Sequence, residues 1–299
     1  MPHIQANGIE LFYDERGDKN APPILLIMGF GAQMVNWPEG FCDMLAEQGF
    51  RVIRFDNRDI GLSQKIEDGG KPDLMKLMQR AMAGETVDAP YKLDDMAKDA
   101  VGLLDALKID KAHIVGASMG GMIAQLVAIN HPERTRSLIS VMSSSGRADL
   151  PQGEPQAMQV LMSPPPPGSP KEDVIEHTLK VAKAIGSPGF QAEDDAIRKY
   201  ASYVYDRSYY PEGPPRQYAA IIASGDRVET LPSVSAPTLV IHGAADPLIP
   251  PAGGEDTAKL IPGARLELVE GMGHDLAPGH WKTLVELIAG HAVEIEKAA

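Results

Sequence analysis

A single cysteine, Cys42, stands in the 299 residues, so the chain can form no intramolecular disulfide. No apolar run approaches the roughly 20 residues that span a bilayer. The longest, "PPILLIMGFG", is strand-sized and ends in glycines. The opening "MPHIQANGIELFYDERG" lacks a basic stretch followed by an apolar one, so no secretory signal is read there. These absences lead us to expect a cytoplasmic protein with no membrane span. Positive charge is also in deficit: 28 Lys and Arg face 41 Asp and Glu, a formal net charge of −13. That balance repels phosphate backbones and anionic lipids and argues against nucleic acid as a partner. Histidines and the cysteine form no cluster at metal-ligand spacing. No internal repeat is present, and nothing sets an oligomeric state.

What is present is a rhythm. "IELFYDERG" and "PPILLIMG" read as a strand pair at the start. Helix "EGFCDMLAEQGF" and strand "RVIRFDNRD" follow, then a polar stretch with an extra helix at 72–82. "YKLDDMAKDAVGLLDALKI" carries Leu93, Met96, Ala100, Leu103, Leu104 and Leu107 on one helical face. Strand "AHIVGA", helix "MGGMIAQLVAINHP" and strand "RSLISVMS" continue the alternation. From 143 to 233 it stops, giving way to "SPPPPGSP" and helical stretches. It resumes with "PTLVIHG", "AGGEDTAKLI", "RLELVEG" and a last helix. Strands alternating with helices imply a mostly parallel sheet covered on both faces. We therefore expect a core domain from 1–142 and 234–299, with 143–233 inserted as a helical cap and the helix near 72–83 as a candidate addition to it.

Gly116-Ala117-Ser118-Met119-Gly120 fits G-x-S-x-G at the end of a strand and the start of a helix. Glycine weakens both kinds of element, and its cost is accepted here because a hydroxyl must stand on a sharp turn. The Met119 N–H then lies at a helix N-terminus, where an oxyanion is favoured. A serine needs a base, and the base needs an orienting group. Of eight histidines, His274 lies in a glycine-flanked loop, "EGMGHDL", just after a strand, where side chains emerge at the reactive edge of a parallel sheet. His113 reads as a core residue, His242 as a strand end, and His131, His280 and His291 as helix-end or surface residues. For the acid, Asp246 follows the preceding strand in "VIHGAADPLIP". Asp275 adjoins the histidine and is the rival, although neighbouring side chains point apart.

On "GASMGG", "HGAADPLIP" and "GMGHD", in the order Ser118, Asp246, His274, the chain resembles the α/β-hydrolase family over essentially its full length. "DNRDIGLS" resembles the family loop D-x-R-G-x-G-x-S, with Asp59 where glycine is usual. That variant is similar to aclacinomycin methylesterase-type proteins, which implies hydrolysis of a small-molecule carboxylic ester with no cofactor. Where the family has His-Gly after the first buried strand, this chain has Met28-Gly29-Phe30-Gly31. The resemblance makes the Phe30 N–H the second oxyanion donor. Asp56 to Asp59 are expected to brace the loop near the pocket.

Met28, Met119 and Met272 adjoin proposed site elements, with Met34 close by, and thioethers suit an adaptable apolar pocket or equally a core. Met28, Gly29, Met272 and Tyr203 are taken as substrate-facing, with Tyr205, Tyr209 and Tyr210 in the roof. A C–C bond hydrolase, a lactonase and a cofactor-free perhydrolase share the triad. An aminopeptidase would need roof acids such as Glu172, Asp173, Glu193 or Asp194 to hold an amine. A receptor on the same fold would bind ligand without turnover.

Overall fold

The computed structural model describes residues 2–298. Its centre is β3 (Pro23–Ile27), five residues buried on both sides. Side chains alternate across a strand. Ile24 and Leu26 accordingly pack with Phe41, Leu45 and Ile288, while Leu25 and Ile27 pack with Leu104, Ile123 and Val127. Each fully buried aliphatic side chain of this kind contributes about 1.5–3 kcal/mol. The first group covers α1 (Glu39–Glu47) and α10 (Trp281–Ala298); the second covers α3 (Leu93–Ala106) and α4 (Met119–Asn130). A continuous apolar strand between two such layers marks a sheet sandwiched by helices.

Eight strands form one sheet in the order β1-β2-β4-β3-β5-β6-β7-β8. They are β1 (His3–Ala6), β2 (Ile9–Arg16), β3, β4 (Arg51–Phe55), β5 (Ala112–Ala117), β6 (Thr135–Val141), β7 (Thr238–Gly243) and β8 (Arg265–Val269). The first two contacts, β1 with β2 and β2 with β4, are antiparallel; the rest are parallel. The expected pairing of "IELFYDERG" with "PPILLIMG" is corrected: β4 lies between β2 and β3. β2 pairs instead with the four-residue β1, whose "HIQA" is too short and too exposed to carry a periodic signal.

Between β6 and β7 the chain forms α5 (Pro155–Leu161), α6 (Lys171–Ile185), α7 (Asp194–Arg207) and α8 (Gly213–Ser224). α2 (Leu74–Met82) packs on α8, and α9 (Ala252–Leu260) leads to β8. The inserted helices bond to loops that follow the C-terminal ends of strands. Gln33 Nε2 donates to the carbonyls of Val204 (2.8 Å) and Ser208 (2.7 Å). Arg207 Nη2 donates to Asp56 Oδ2 at 2.7 Å. The anchors of this roof include both the neutral amide of Gln33 and the ion pair of Arg207 with Asp56.

The strongest anchor is Asp59. Its carboxylate takes Arg216 in a two-pronged pair, Nε to Oδ2 at 2.9 Å and Nη2 to Oδ1 at 2.8 Å. It also accepts the Tyr91 hydroxyl at 2.7 Å and the Ile66 N–H at 2.8 Å. Both charged side chains are 2% exposed or less. Asp59 holds φ +69°, a left-handed conformation that glycine adopts freely and aspartate tolerates. An aspartate can therefore stand where the related loop has glycine and also bind the roof. Removing one partner of a buried pair leaves an uncompensated charge. Asp59→Ala should lower unfolding free energy by about 3–5 kcal/mol in denaturant titration. Asp59→Ala with Arg216→Met should lose less than the single variant; a single-variant loss under about 1 kcal/mol would show that the pair does not anchor the roof.

Candidate active site

Ser118 sits between β5 and α4 at φ 56° and ψ −122°, a conformation rare for any residue with a side chain. Its N–H donates to the Val141 carbonyl at 2.9 Å, and its own carbonyl accepts the Gly121 N–H at 2.8 Å. The neighbouring glycines follow from contact distances. A Cβ on Gly116 would stand 2.0 Å from the Gly120 carbonyl oxygen. One on Gly120 would stand 2.1 Å from that of Ile27, and one on Gly121 would meet Ser143 Cβ at 2.5 Å. The turn closes only if three positions carry hydrogen instead of a side chain.

The hydroxyl meets a histidine. His274 Nε2 lies 2.9 Å from Ser118 Oγ, and His274 Nδ1 lies 2.7 Å from Asp246 Oδ2. An ionised carboxylate only accepts, so Nδ1 carries the proton and Nε2 is free to take the one on Ser118. The Asp246 side chain is fully buried, and its Oδ1 accepts the Leu248 and Ile249 N–H groups, each at 2.9 Å. Of the two candidate acids, the structure brings Asp246 to the imidazole. Asp275 turns away and accepts the Ser187 hydroxyl at 2.5 Å.

Two amides border the serine. Met119 opens α4, so its N–H has no acceptor within the helix. Gly29 abuts the nucleophile: a Cβ there would lie 3.1 Å from Ser118 Cβ. The next amide is that of Phe30, and no backbone or side-chain acceptor among the described residues takes it. The Gly31 N–H that follows is committed to Gln217 Oε1 at 2.9 Å, and Gln217 Nε2 donates to the Arg58 carbonyl at 3.0 Å. The 56–59 loop is braced throughout. Asp56 accepts the Met34 and Leu62 N–H groups, Asn57 donates to the Met28 carbonyl, and Arg58 pairs with Asp99.

A cavity of about 520 Å³ opens between Phe30 and the roof. Tyr205, Tyr209, Tyr210, Tyr218 and the run Pro164–Pro167 line much of it, and Tyr205 stacks on Tyr209 with ring centres 4.5 Å apart. No Asp, Glu, Lys or Arg is in its lining. Several substrate-facing expectations are corrected. Met28 and Met272 are buried in the core beneath α1 and α10 and are absent from the cavity lining; Met28 continues the alternation of Ile24 and Leu26 into that layer. Met119 contributes its amide, while its thioether packs in the opposite core layer with Ile123. Tyr203 is 49% exposed. Tyr200, Ala201, Val204, Tyr205 and Ser208 line the cavity, and at 100° per residue Tyr203 falls on the other side of α7. Met162, not singled out from the sequence, does line it.

His242 was also passed over as a strand end. It is fully buried at the end of β7, its Nε2 donating to the Ile249 carbonyl at 2.8 Å and lying 3.6 Å from Asp246 Oδ2. Burial holds its pKa below the ordinary histidine value, so it packs against the acid uncharged. Its place four residues before Asp246 was the available signal. Burial also pushes the Cys42 thiol up to about 12, so no thiolate competes as a nucleophile.

Residues 22–279 match the family described as the alpha/beta hydrolase fold. The chain belongs to the α/β-hydrolase family. Among curated relatives, it is 27% identical to the rhodomycin D methylesterase DauP of Streptomyces sp. (strain C5), with 96% of each chain covered. It is 27% identical to the 2-hydroxymuconate semialdehyde hydrolase of Pseudomonas putida, covering 92% of this chain and 88% of that one. Among solved structures, the meta-cleavage product hydrolase CumD of Pseudomonas fluorescens IP01 superposes with a TM-score of 0.78 at 21% identity, 98% of each chain covered. Among the described residues, no helix of this α/β-hydrolase is long and apolar enough to cross a membrane.

The geometry separates the two acids by experiment. Without its carboxylate, His274 loses its tautomer, so Asp246→Asn should slow phosphonylation of Ser118 by a small fluorophosphonate on the order of 10⁴-fold. Asp275→Asn should slow it no more than about tenfold, the scale of one hydrogen bond. The reverse ranking, in folded proteins, would transfer the role to Asp275.

Proposed function

We propose that this hydrolase cleaves neutral, largely apolar carboxylic esters through an acyl-enzyme on Ser118. His274 takes the hydroxyl proton as Ser118 attacks the ester carbonyl, and Asp246 stabilises the imidazolium that forms. The oxyanion is held by the Phe30 and Met119 N–H groups, which are oriented before the reaction begins. Collapse expels the alcohol, which takes the proton from His274. The histidine then activates water to release the acid and regenerate the serine. No step draws on a cofactor.

The observation that carries the ester reading is the lining of the cavity that begins at Phe30, which holds no Asp, Glu, Lys or Arg and one histidine, His177, whose pKa burial lowers. A substrate amine would want a carboxylate there and a substrate anion would want an arginine or lysine. Neither is present in the lining. The roof acids that an aminopeptidase would need point elsewhere. Asp194 pairs with Lys183, and Glu172, Asp173 and Glu193 are exposed. The rhodomycin D methylesterases among its relatives support an ester whose alcohol is small.

A series of p-nitrophenyl esters tests this. Apolar burial contributes about 0.8 kcal/mol per methylene, so kcat/KM should rise roughly fourfold per acyl carbon until the cavity fills. A terminal carboxylate or ammonium on the acyl chain should lower it at least about hundredfold, because an unpaired charge would be desolvated. A flat chain-length profile, or a preference for a charged acyl chain, would overturn the proposal.

A further inference from the structure

The roof touches the histidine loop where α6 ends. The backbone N–H of His274 donates to the Ile185 carbonyl at 2.7 Å. The preceding N–H, of Gly273, donates to Ser187 Oγ at 2.9 Å. The Ser187 hydroxyl donates in turn to Asp275 Oδ1 at 2.5 Å. Three consecutive loop residues are thus held by two roof residues, Ile185 and Ser187. Two glycines allow the close approach. A Cβ on Gly273 would lie 2.6 Å from the Gly186 carbonyl, and one on Gly186 would lie 3.2 Å from Asp275 Oδ2.

The order of donors in this chain is fixed by chemistry. Asp275 can only accept, so it takes the one proton of Ser187 Oγ and leaves a lone pair facing the Gly273 N–H. Ser187 is fully buried, so no solvent replaces its contact with the Gly273 N–H, while Asp275 is half-buried. Gly273 precedes the imidazole-bearing residue and Asp275 follows it. Fixing both sets the direction in which His274 leaves the backbone.

We propose that Ser187, although it lies on the roof, is a positioning residue for His274, its hydroxyl oriented by Asp275 so that the loop presents the imidazole to Ser118. The roof then does more than enclose substrate, because the triad is held together in part by a roof side chain. This rests on the proposed roles of Ser118 and His274, and not on the nature of the ester.

The test compares Ser187→Ala, Asp275→Ala and the double variant, each checked for folding by circular dichroism and thermal denaturation. The readouts are phosphonylation by a small fluorophosphonate, which needs the triad but not the cavity, and the separate kcat and KM values for p-nitrophenyl butyrate. Ser187→Ala should slow phosphonylation and lower kcat by the same factor, roughly 10- to 30-fold, with KM within about twofold, since a buried N–H loses its acceptor. Both substitutions break one chain, so the double variant should be about as slow as Ser187→Ala and not the product of the two losses. Unchanged phosphonylation with a raised KM, or multiplicative losses, would reduce Ser187 to a packing contact and overturn the proposal. If Ser187→Ala does not fold, a loss of phosphonylation rate in Asp275→Ala supports the proposal and an unchanged rate overturns it. A wild-type chain that is phosphonylated on Ser118 but turns over no ester would refute the ester reading alone, and the variants would still decide the role of Ser187.

Discussion

The strained backbone of Ser118 is the constraint around which the sheet and its helices are arranged. With φ 56° and ψ −122°, the residue cannot hold that turn by its own preference, since such conformations cost on the order of 1–3 kcal/mol. It is held because β5 is a strand buried along its whole length and α4 packs along the core layer it shares with α3. Gly116 and Gly120 let those two elements meet at backbone distance, and Gly120 also lies against the Ile27 carbonyl of β3. The same close contact brings Gly29 against the serine. One turn therefore sets the nucleophile and both neighbouring amides together.

Charge is distributed in a way that keeps the cavity neutral. Arg207 and Arg216 both reach down from the roof, but each ends on a buried carboxylate, Asp56 or Asp59, outside the lining. Paired ions of this sort contribute little net stability, yet they are costly to break. They suit the task of seating helices that have few deeply buried residues. α6 and α7 each bury a single residue, Leu179 and Ala201. The roof is thus fixed by specific contacts to loops that carry the site, not by a core of its own, and the Ser187 contact belongs to that group.

Much of this was legible in the residues because the reactive groups follow one rule: each emerges just after a parallel strand. Ser118 follows β5, Asp246 follows β7 and His274 follows β8, so finding the strands found the groups. The glycine pattern at 116, 120 and 121 reports a backbone contact directly, as only glycine fits. Strand order was not legible between β2 and β3, since hydrophobic pattern shows that a strand is buried and not which neighbour buries it. The methionine assignments failed for a related reason. Met272 is apolar and two residues from His274 in sequence, but the loop after β8 folds its side chain into the core. Tyr203 shows the same on a helix. Ser187 was invisible because its partner, Asp275, meets it only through folding of the loops, and nothing in the local sequence of a serine on a roof helix end marks it.

The proposed mechanism requires that Ser118 become covalently acylated during turnover. Rapid quenching of a reaction with p-nitrophenyl butyrate, followed by intact-mass and peptide analysis, tests it most directly. The expected result is an early species heavier by one butyryl group, formed with a burst of p-nitrophenol approaching one per chain and located on the peptide that holds Ser118. Steady turnover with no acylated species while the Ser118→Ala variant stays active, or an acyl group on another residue, would contradict it.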